Sequence, residues 1–169
     1  FLLLLEAGAF TPAQLSLWIA EQAHLSRSLA QCMAAVVGRL PFHFVREAHA
    51  LAENVLRETW SYDRPKGHQH LFRQLWDALR TDPLKPEELP DPSPTTYSFI
   101  AGRLALTAHR SVFVGLGALA TNEYLNANQT GDRGIMVAYQ RGLKQAGRLT
   151  GYADAHVLDE PADTALMLD

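Results

Sequence analysis

The chain has 169 residues, 47 % of them hydrophobic, and a formal net charge of -3 at pH 7. That length and apolar content fit one domain with a sizeable core, so residues 1–169 are read as a single helical unit with no separate second domain. No run of Lys or Arg stands out, which excludes the electrostatic footprint of a nucleic-acid binder and points to a small-molecule partner.

Phe1-Leu-Leu-Leu-Leu is apolar but brief, lacks a basic flank and meets Glu6 at once. Neither a signal peptide nor a membrane span is expected, and the start resembles a trimmed helix from a longer chain. Thr11-Pro12-Ala13-Gln14 combines a cap residue, proline at the first helical position and Gln at the third, so a long helix should run to about Gly38. Leu15, Trp18, Ile19, Leu25, Leu29 and Met33 keep helical spacing along it, with Gln22 and His24 as polar candidates to look inward. Cys32, the lone cysteine, reads as a small buried hydrophobe. It cannot support an internal disulfide, which agrees with a reducing cytoplasm.

Pro41 should open a second helix, Phe42 to Trp60, with Phe44, Val45, Ala48, Leu51, Ala52, Val55 and Leu56 leading to Glu58. Ser61 to Gly67 reads as a loop. In the next pattern His68, Leu71, Phe72, Leu75, Trp76 and Leu79 form one stripe, which turns His68 toward the core. His70 lies about 200° round the same helix, so only one of the two can face inward. Asp82 to Pro94, with five prolines, is a surface connection. Ser93-Pro94 caps a helix to about Arg110, and the run from Val112 to Tyr124 is apolar or small on every side, the pattern of a helix buried all round. Glu123 in such a place needs a partner or a metal, because an unpaired buried carboxylate is very costly. Asn126 to Asp132 reads as a turn, Arg133 to about Gln145 as a helix, and Thr150 as the cap of a closing helix. No strand-length alternation and no repeat appears, so the class is all-α with about seven helices.

The closing helix carries the clearest chemistry. His156, Glu160 and Asp163 fall at i, i+4 and i+7, on one face and within reach of one point. An imidazole and carboxylates on successive turns suit iron or manganese. Helical bundles complete such sites with Glu and His from facing helices, and Glu58, His68 and Glu123 are the residues available. Gln22, Tyr97, Tyr124, Tyr152 and Arg148 are weaker candidates to touch substrate, while Trp18, Trp60 and Trp76 read as packing anchors.

Four stretches together resemble the haem-oxygenase-like di-iron oxidases and oxygenases, relatives of the TenA and PqqC proteins. Leu5-Glu-Ala-Gly-Ala-Phe-Thr-Pro-Ala-Gln-Leu is similar to that family's entry motif. Leu51-Ala-Glu-Asn-Val-Leu-Arg-Glu58, with His68-Gln-His-Leu-Phe beyond the loop, resembles the segment that supplies one Glu and one His. Leu116-Gly-Ala-Leu-Ala-Thr-Asn-Glu123 and Tyr152-Ala-Asp-Ala-His156-Val-Leu-Asp-Glu160-Pro-Ala-Asp163 resemble the two later ligand helices. The resemblance implies a haem-oxygenase-like bundle holding two iron ions, with manganese as the alternative. Its ligands would be Glu58, His68, Glu123, His156, Glu160 and Asp163.

Two departures stand out. Asp163 occupies a position that is usually His, which makes the second metal site richer in oxygen. Pro161 removes a helical hydrogen bond and should kink the helix, which makes Asp159 a substitute for Glu160, as His70 is for His68. The implied activity is O2-dependent oxidation or oxygenation of a small, amino-acid- or amine-derived substrate by N-oxygenation, oxidative decarboxylation or C–C cleavage. A metal-free binding module and a PqqC-like cofactor-independent enzyme are the alternatives on the same fold. The expected partners are O2 and substrate, with no nucleic acid and no membrane; relatives are commonly dimers, so a homodimer is compatible.

Overall fold

Thr11 starts the main helix by a reciprocal cap. Its hydroxyl accepts the Gln14 N–H at 3.3 Å, while the Gln14 side chain accepts the Thr11 N–H at 2.9 Å. The computed structural model describes residues 2–59, 68–79, 90–126, 135–148, 150, 151, 153, 154 and 157, with the side chains of 2, 12, 69, 72, 79 and 122–126 left out. Among these residues the architecture is all-α: α1 (Leu2–Glu6), α2 (Pro12–Val37), α3 (Val45–Thr59), α4 (His68–Leu79), α5 (Pro94–His109), α6 (Val112–Asn126) and α7 (Ile135–Gln145). No described helix is long and apolar enough to cross a membrane.

The 26-residue α2 is the axis of the bundle, against which α3, α4, α5 and α6 all pack. Its apolar stripe is not continuous. The N-terminal half contributes Leu15, Ile19, Ala20 and Ala23 to a cluster with Leu5, Leu75, Trp76, Met136, Tyr139, Leu143 and Ala153. The C-terminal half contributes Leu29, Cys32, Met33 and Val36 to a second cluster with Leu51 and Leu119. Buried Ser26 lies between the two sets, so the core has a polar waist. Burial of apolar area on both sides, at about 25 cal/mol per Å2, holds the waist in place.

Two expected elements need correction. The second helix begins at Val45, not Phe42, because Pro41 to Phe44 forms a turn in which the Phe44 N–H bonds the Pro41 carbonyl at 2.9 Å. Val45 and Leu56, read as core, are 67 % and 49 % exposed. Nor is α6 buried all round, since Phe113 and Val114 are 62 % and 46 % exposed. Uniformly apolar composition hides which face is covered; among the described helices α6 packs on α2, α5 and α7. The loop at Ser61 to Gly67, the segment Asp82 to Leu89 and the turn after Asn126 lie outside the described residues.

Helix α5 is joined to α2 at its cap. The Ser93 N–H donates to Glu21 Oε1 at 3.0 Å, and its hydroxyl donates to Oε2 at 3.1 Å. Burial alone would push the Glu21 carboxyl up, but hydrogen bonds from Thr96 and Ser93, with His24 nearby, outweigh it and hold the group below its ordinary value. A depressed carboxylate stabilises the fold above the ordinary Glu value of about 4.3, and that stability is lost as pH falls through the folded value. Glu21→Gln should therefore lose about 1 kcal/mol at pH 7 and less at pH 3. Urea unfolding at the two pH values checks this; equal losses at both would show that charge is not involved.

Candidate metal centre

The waist at Ser26 holds a carboxylate and an imidazole. Glu58, one residue before the end of α3, is 3 % exposed, and His68, the first residue of α4, is 4 % exposed. His68 Nδ1 lies 2.7 Å from Glu58 Oε1, and the Ser26 hydroxyl donates to Glu58 Oε2 at 2.7 Å. Three helices thus converge on one carboxylate. Acting as donor, Nδ1–H fixes the ring orientation and places Nε2 on its opposite side.

Burying such a pair is expensive, since desolvation of two ionisable groups can exceed their attraction. The stripe nevertheless runs Leu51, Asn54, Glu58 on α3 and His68, Leu75 on α4, all buried. The donor set fits iron: nitrogen and carboxylate oxygen suit a first-row metal. Two neighbouring donors on bonds of about 2.1 Å lie about 3 Å apart, comparable with the separation found here. With Nδ1–H donating to Glu58, the carboxylate orients the imidazole and Nε2 is the nitrogen that would face an ion; sharing one ion through Nδ1 would require that proton to leave.

The remaining candidates divide by what is described. The Glu123 backbone is on α6, one turn beyond Leu119 of the second cluster, but its side chain is outside the described residues. His156, Glu160 and Asp163 also lie outside them, as does the substitute Asp159. Among the described residues no group of three His, Cys, Asp or Glu side chains gathers at one point. The approach to His156 is described: residues 151, 153, 154 and 157 are helical, Ala153 is fully buried and Val157 packs on the first cluster. Thr150 starts this turn, its carbonyl accepting the Asp154 N–H at 2.8 Å and its hydroxyl donating to Asp154 Oδ2 at 2.7 Å.

The helix turns one of the two candidate histidines inward and leaves the other nearer the surface. His68 is buried on Glu58, whereas His70 is half-buried and its Nε2 lies 3.0 Å from the Gln74 amide nitrogen. Of the weaker substrate candidates, Gln22 is half-buried on α2 and Arg148 is exposed. Tyr97 stands on α5 and is 66 % exposed. The Tyr124 and Tyr152 side chains lie outside the described residues. His24 turns away from the core to the Pro90 carbonyl, 2.7 Å from Nε2. Trp18 and Trp76 pack as expected, Trp18 edge-on to Tyr139 at 4.3 Å between ring centroids; Trp60 is outside the described residues.

Sequence reading missed Ser26, Asn54, Arg103 and Tyr139. Arg103, 5 % exposed on α5, donates to the Leu25 carbonyl at 2.7 Å and to the Ser28 hydroxyl. The signal was present, because Arg103 is the one charged residue between Pro94 and Ala108. Ser26 and Asn54 likewise interrupt apolar stripes. Tyr139 is 1 % exposed, its hydroxyl makes no hydrogen bond among the described residues, and burial pushes its phenol well above the ordinary value.

Ser26→Ala should weaken iron binding about 10- to 100-fold, the usual effect of removing a group that orients a ligand. Iron titration followed by circular dichroism checks it; unchanged affinity would make Ser26 a packing residue only.

The sequence model of a protein family described as "Iron-containing redox enzyme" matches residues 16–160. That span contains Glu58, His68, Glu123, His156 and Glu160, and stops short of Asp163. No curated protein matches the chain.

Proposed function

Because the chain belongs to the family of iron-containing redox enzymes with a haem-oxygenase-like fold, we propose that it is an O2-activating non-haem di-iron oxidase or oxygenase. Its substrate is a small, amino-acid- or amine-derived molecule, transformed by N-oxygenation, oxidative decarboxylation or C–C cleavage. The observation that supports this reading is the buried Glu58–His68 pair, with its 2.7 Å separation at the polar waist of the core.

Glu58 and His68 would hold iron together with Glu123, His156, Glu160 and Asp163. Iron in a carboxylate-rich site with open positions supplies one-electron redox chemistry toward O2. The chain's own contributions are positional. Ser26 holds Glu58 Oε2 and His68 Nδ1–H holds Oε1, so both oxygens are oriented before any ligand arrives. The apolar clusters above and below the waist keep bulk water from this carboxylate and strengthen its electrostatic interactions.

Anaerobic loading with ferrous iron tests the proposal. It predicts about two equivalents per chain and an oxygen-dependent colour change, with O2 uptake accelerated by the right amine or amino acid. Fewer than about one equivalent would defeat it. The competing reading is a metal-free binding module, favoured by the fact that Ser26 and His68 already satisfy both Glu58 oxygens. That reading predicts no specific iron and no change of colour.

A further inference from the structure

Where α2 ends and α3 and α6 begin, apolar side chains stand in solvent. Phe42 is 90 % exposed on the Pro41–Phe44 turn, alongside the outward-facing Val45, Phe113 and Val114. Ring contacts make the patch continuous: Phe42 to His43 at 5.9 Å between centroids, His43 to Phe44 at 4.5 Å, and Phe44 to Phe113 at 6.2 Å. Arg39 ties the same end together by donating to the Thr107 carbonyl at 2.6 Å and to the Arg110 carbonyl.

The rim is almost entirely of one sign. Arg39, Arg46 and Arg110 are exposed, His43 and His109 lie beside them, and half-buried Glu47 is the one acid in residues 38–47 and 107–114. This cationic end belongs to a chain of net charge -3. Contiguous apolar patches rimmed by polar groups mark association sites, and the rim here selects an anionic partner.

We propose that this end of the bundle docks on an anionic lipid bilayer, with Phe42 and Phe113 entering the interface, Arg46 and Arg110 facing acidic headgroups and Arg39 adding positive charge behind them. Phe42 projects from a turn with almost nothing packed around it. A fluid interface accepts such a side chain without a preformed cavity, whereas a folded partner would have to supply one. An apolar insertion and a cationic rim together provide the two signals that stable peripheral attachment requires. The contact would lie on the membrane without spanning it, and it replaces the expectation from sequence that no membrane is a partner; no described helix is long and apolar enough to cross one.

Vesicle sedimentation tests this. The iron-loaded protein should pellet with phosphatidylcholine vesicles containing about 30 mol % phosphatidylglycerol and stay in solution with phosphatidylcholine alone. Phe42→Ser and Arg46→Glu should each weaken binding about fivefold or more, with iron content and helicity unchanged. The proposal is overturned if wild type ignores anionic vesicles, if it binds neutral ones equally, or if both variants bind as wild type does. Binding to soluble polyglutamate but not to vesicles would assign the patch to an acidic protein instead. Because iron content is read separately, failure here leaves the metal reading untouched.

Discussion

Glu58→Gln and His68→Gln should each lower iron affinity by at least about 100-fold while leaving the helical content intact. Loss of an outer partner costs about 10- to 100-fold, so the effect of losing a ligand should lie at or beyond the top of that range. Glutamine is the informative replacement. It keeps a hydrogen-bonding group near Ser26 and its neighbour across the pair but removes the donor character that a metal needs. Truncation to alanine would confuse the result, because leaving a buried polar partner unsatisfied costs about 1–3 kcal/mol in stability by itself. Metal content per chain after anaerobic loading, with circular dichroism on the same samples, decides the matter. If Glu58→Gln takes up as much iron as wild type, the Ser26–Glu58–His68 network is structural and the metal reading loses its anchor.

Gly142→Ala should destabilise the fold by about 1–2 kcal/mol net, although helix propensity alone argues the other way. In a helix interior alanine is better than glycine by about 1 kcal/mol, so an isolated α7 would gain from the change. Here the added Cβ would stand 1.8 Å from the Leu5 carbonyl oxygen and 2.9 Å from its carbon, both backbone atoms that cannot rotate away. Helix α1 must then lift from α7 or deform. Lifting exposes Leu5, now 2 % exposed, at a cost of about 1.5–3 kcal/mol, and strains the 2.6 Å Arg141–Glu6 ion pair. Overpacking without release costs about 1–3 kcal/mol. Either route exceeds or cancels the propensity gain, and release adds the loss of the α1 contacts. At about 2–4 °C per kcal/mol for a chain of this size, Tm should fall by about 2–8 °C. A Tm equal to or above wild type would mean that α1 is not seated as described. Neighbouring Gly8, at φ +62°, is the other half of this close approach; its own Cβ would meet the Gly142 carbonyl at 3.0 Å. There a substitution adds backbone strain to the contact.

Much of the fold was legible in local signals. Thr11-Pro12-Ala13-Gln14 predicts a cap that forms atom for atom, because capping depends on groups three residues apart and on nothing distant. Ser93-Pro94 and the stripe of His68, Leu75 and Trp76 succeed for the same reason. Where composition stopped discriminating between faces, the reading failed. Pro41 marked a break but not that the chain would complete a turn before Val45, and the small, apolar α6 carries too little contrast to show that Phe113 and Val114 face outward.

The sequence by itself determined the all-α class, the main helix boundaries, and that Glu58 and His68 share the faces that enter the core. Those properties are encoded by residues within one or two turns of each other. Only the tertiary structure decided that Ser26 would meet Glu58, since 32 positions separate them along the chain and no periodicity spans such a distance. It also decided that His68, not His70, is the buried imidazole, and that Gly142 must be glycine. Each of those outcomes depends on which helix becomes the neighbour, and that is settled when α2 gathers α3 and α4, and α1 closes on α7.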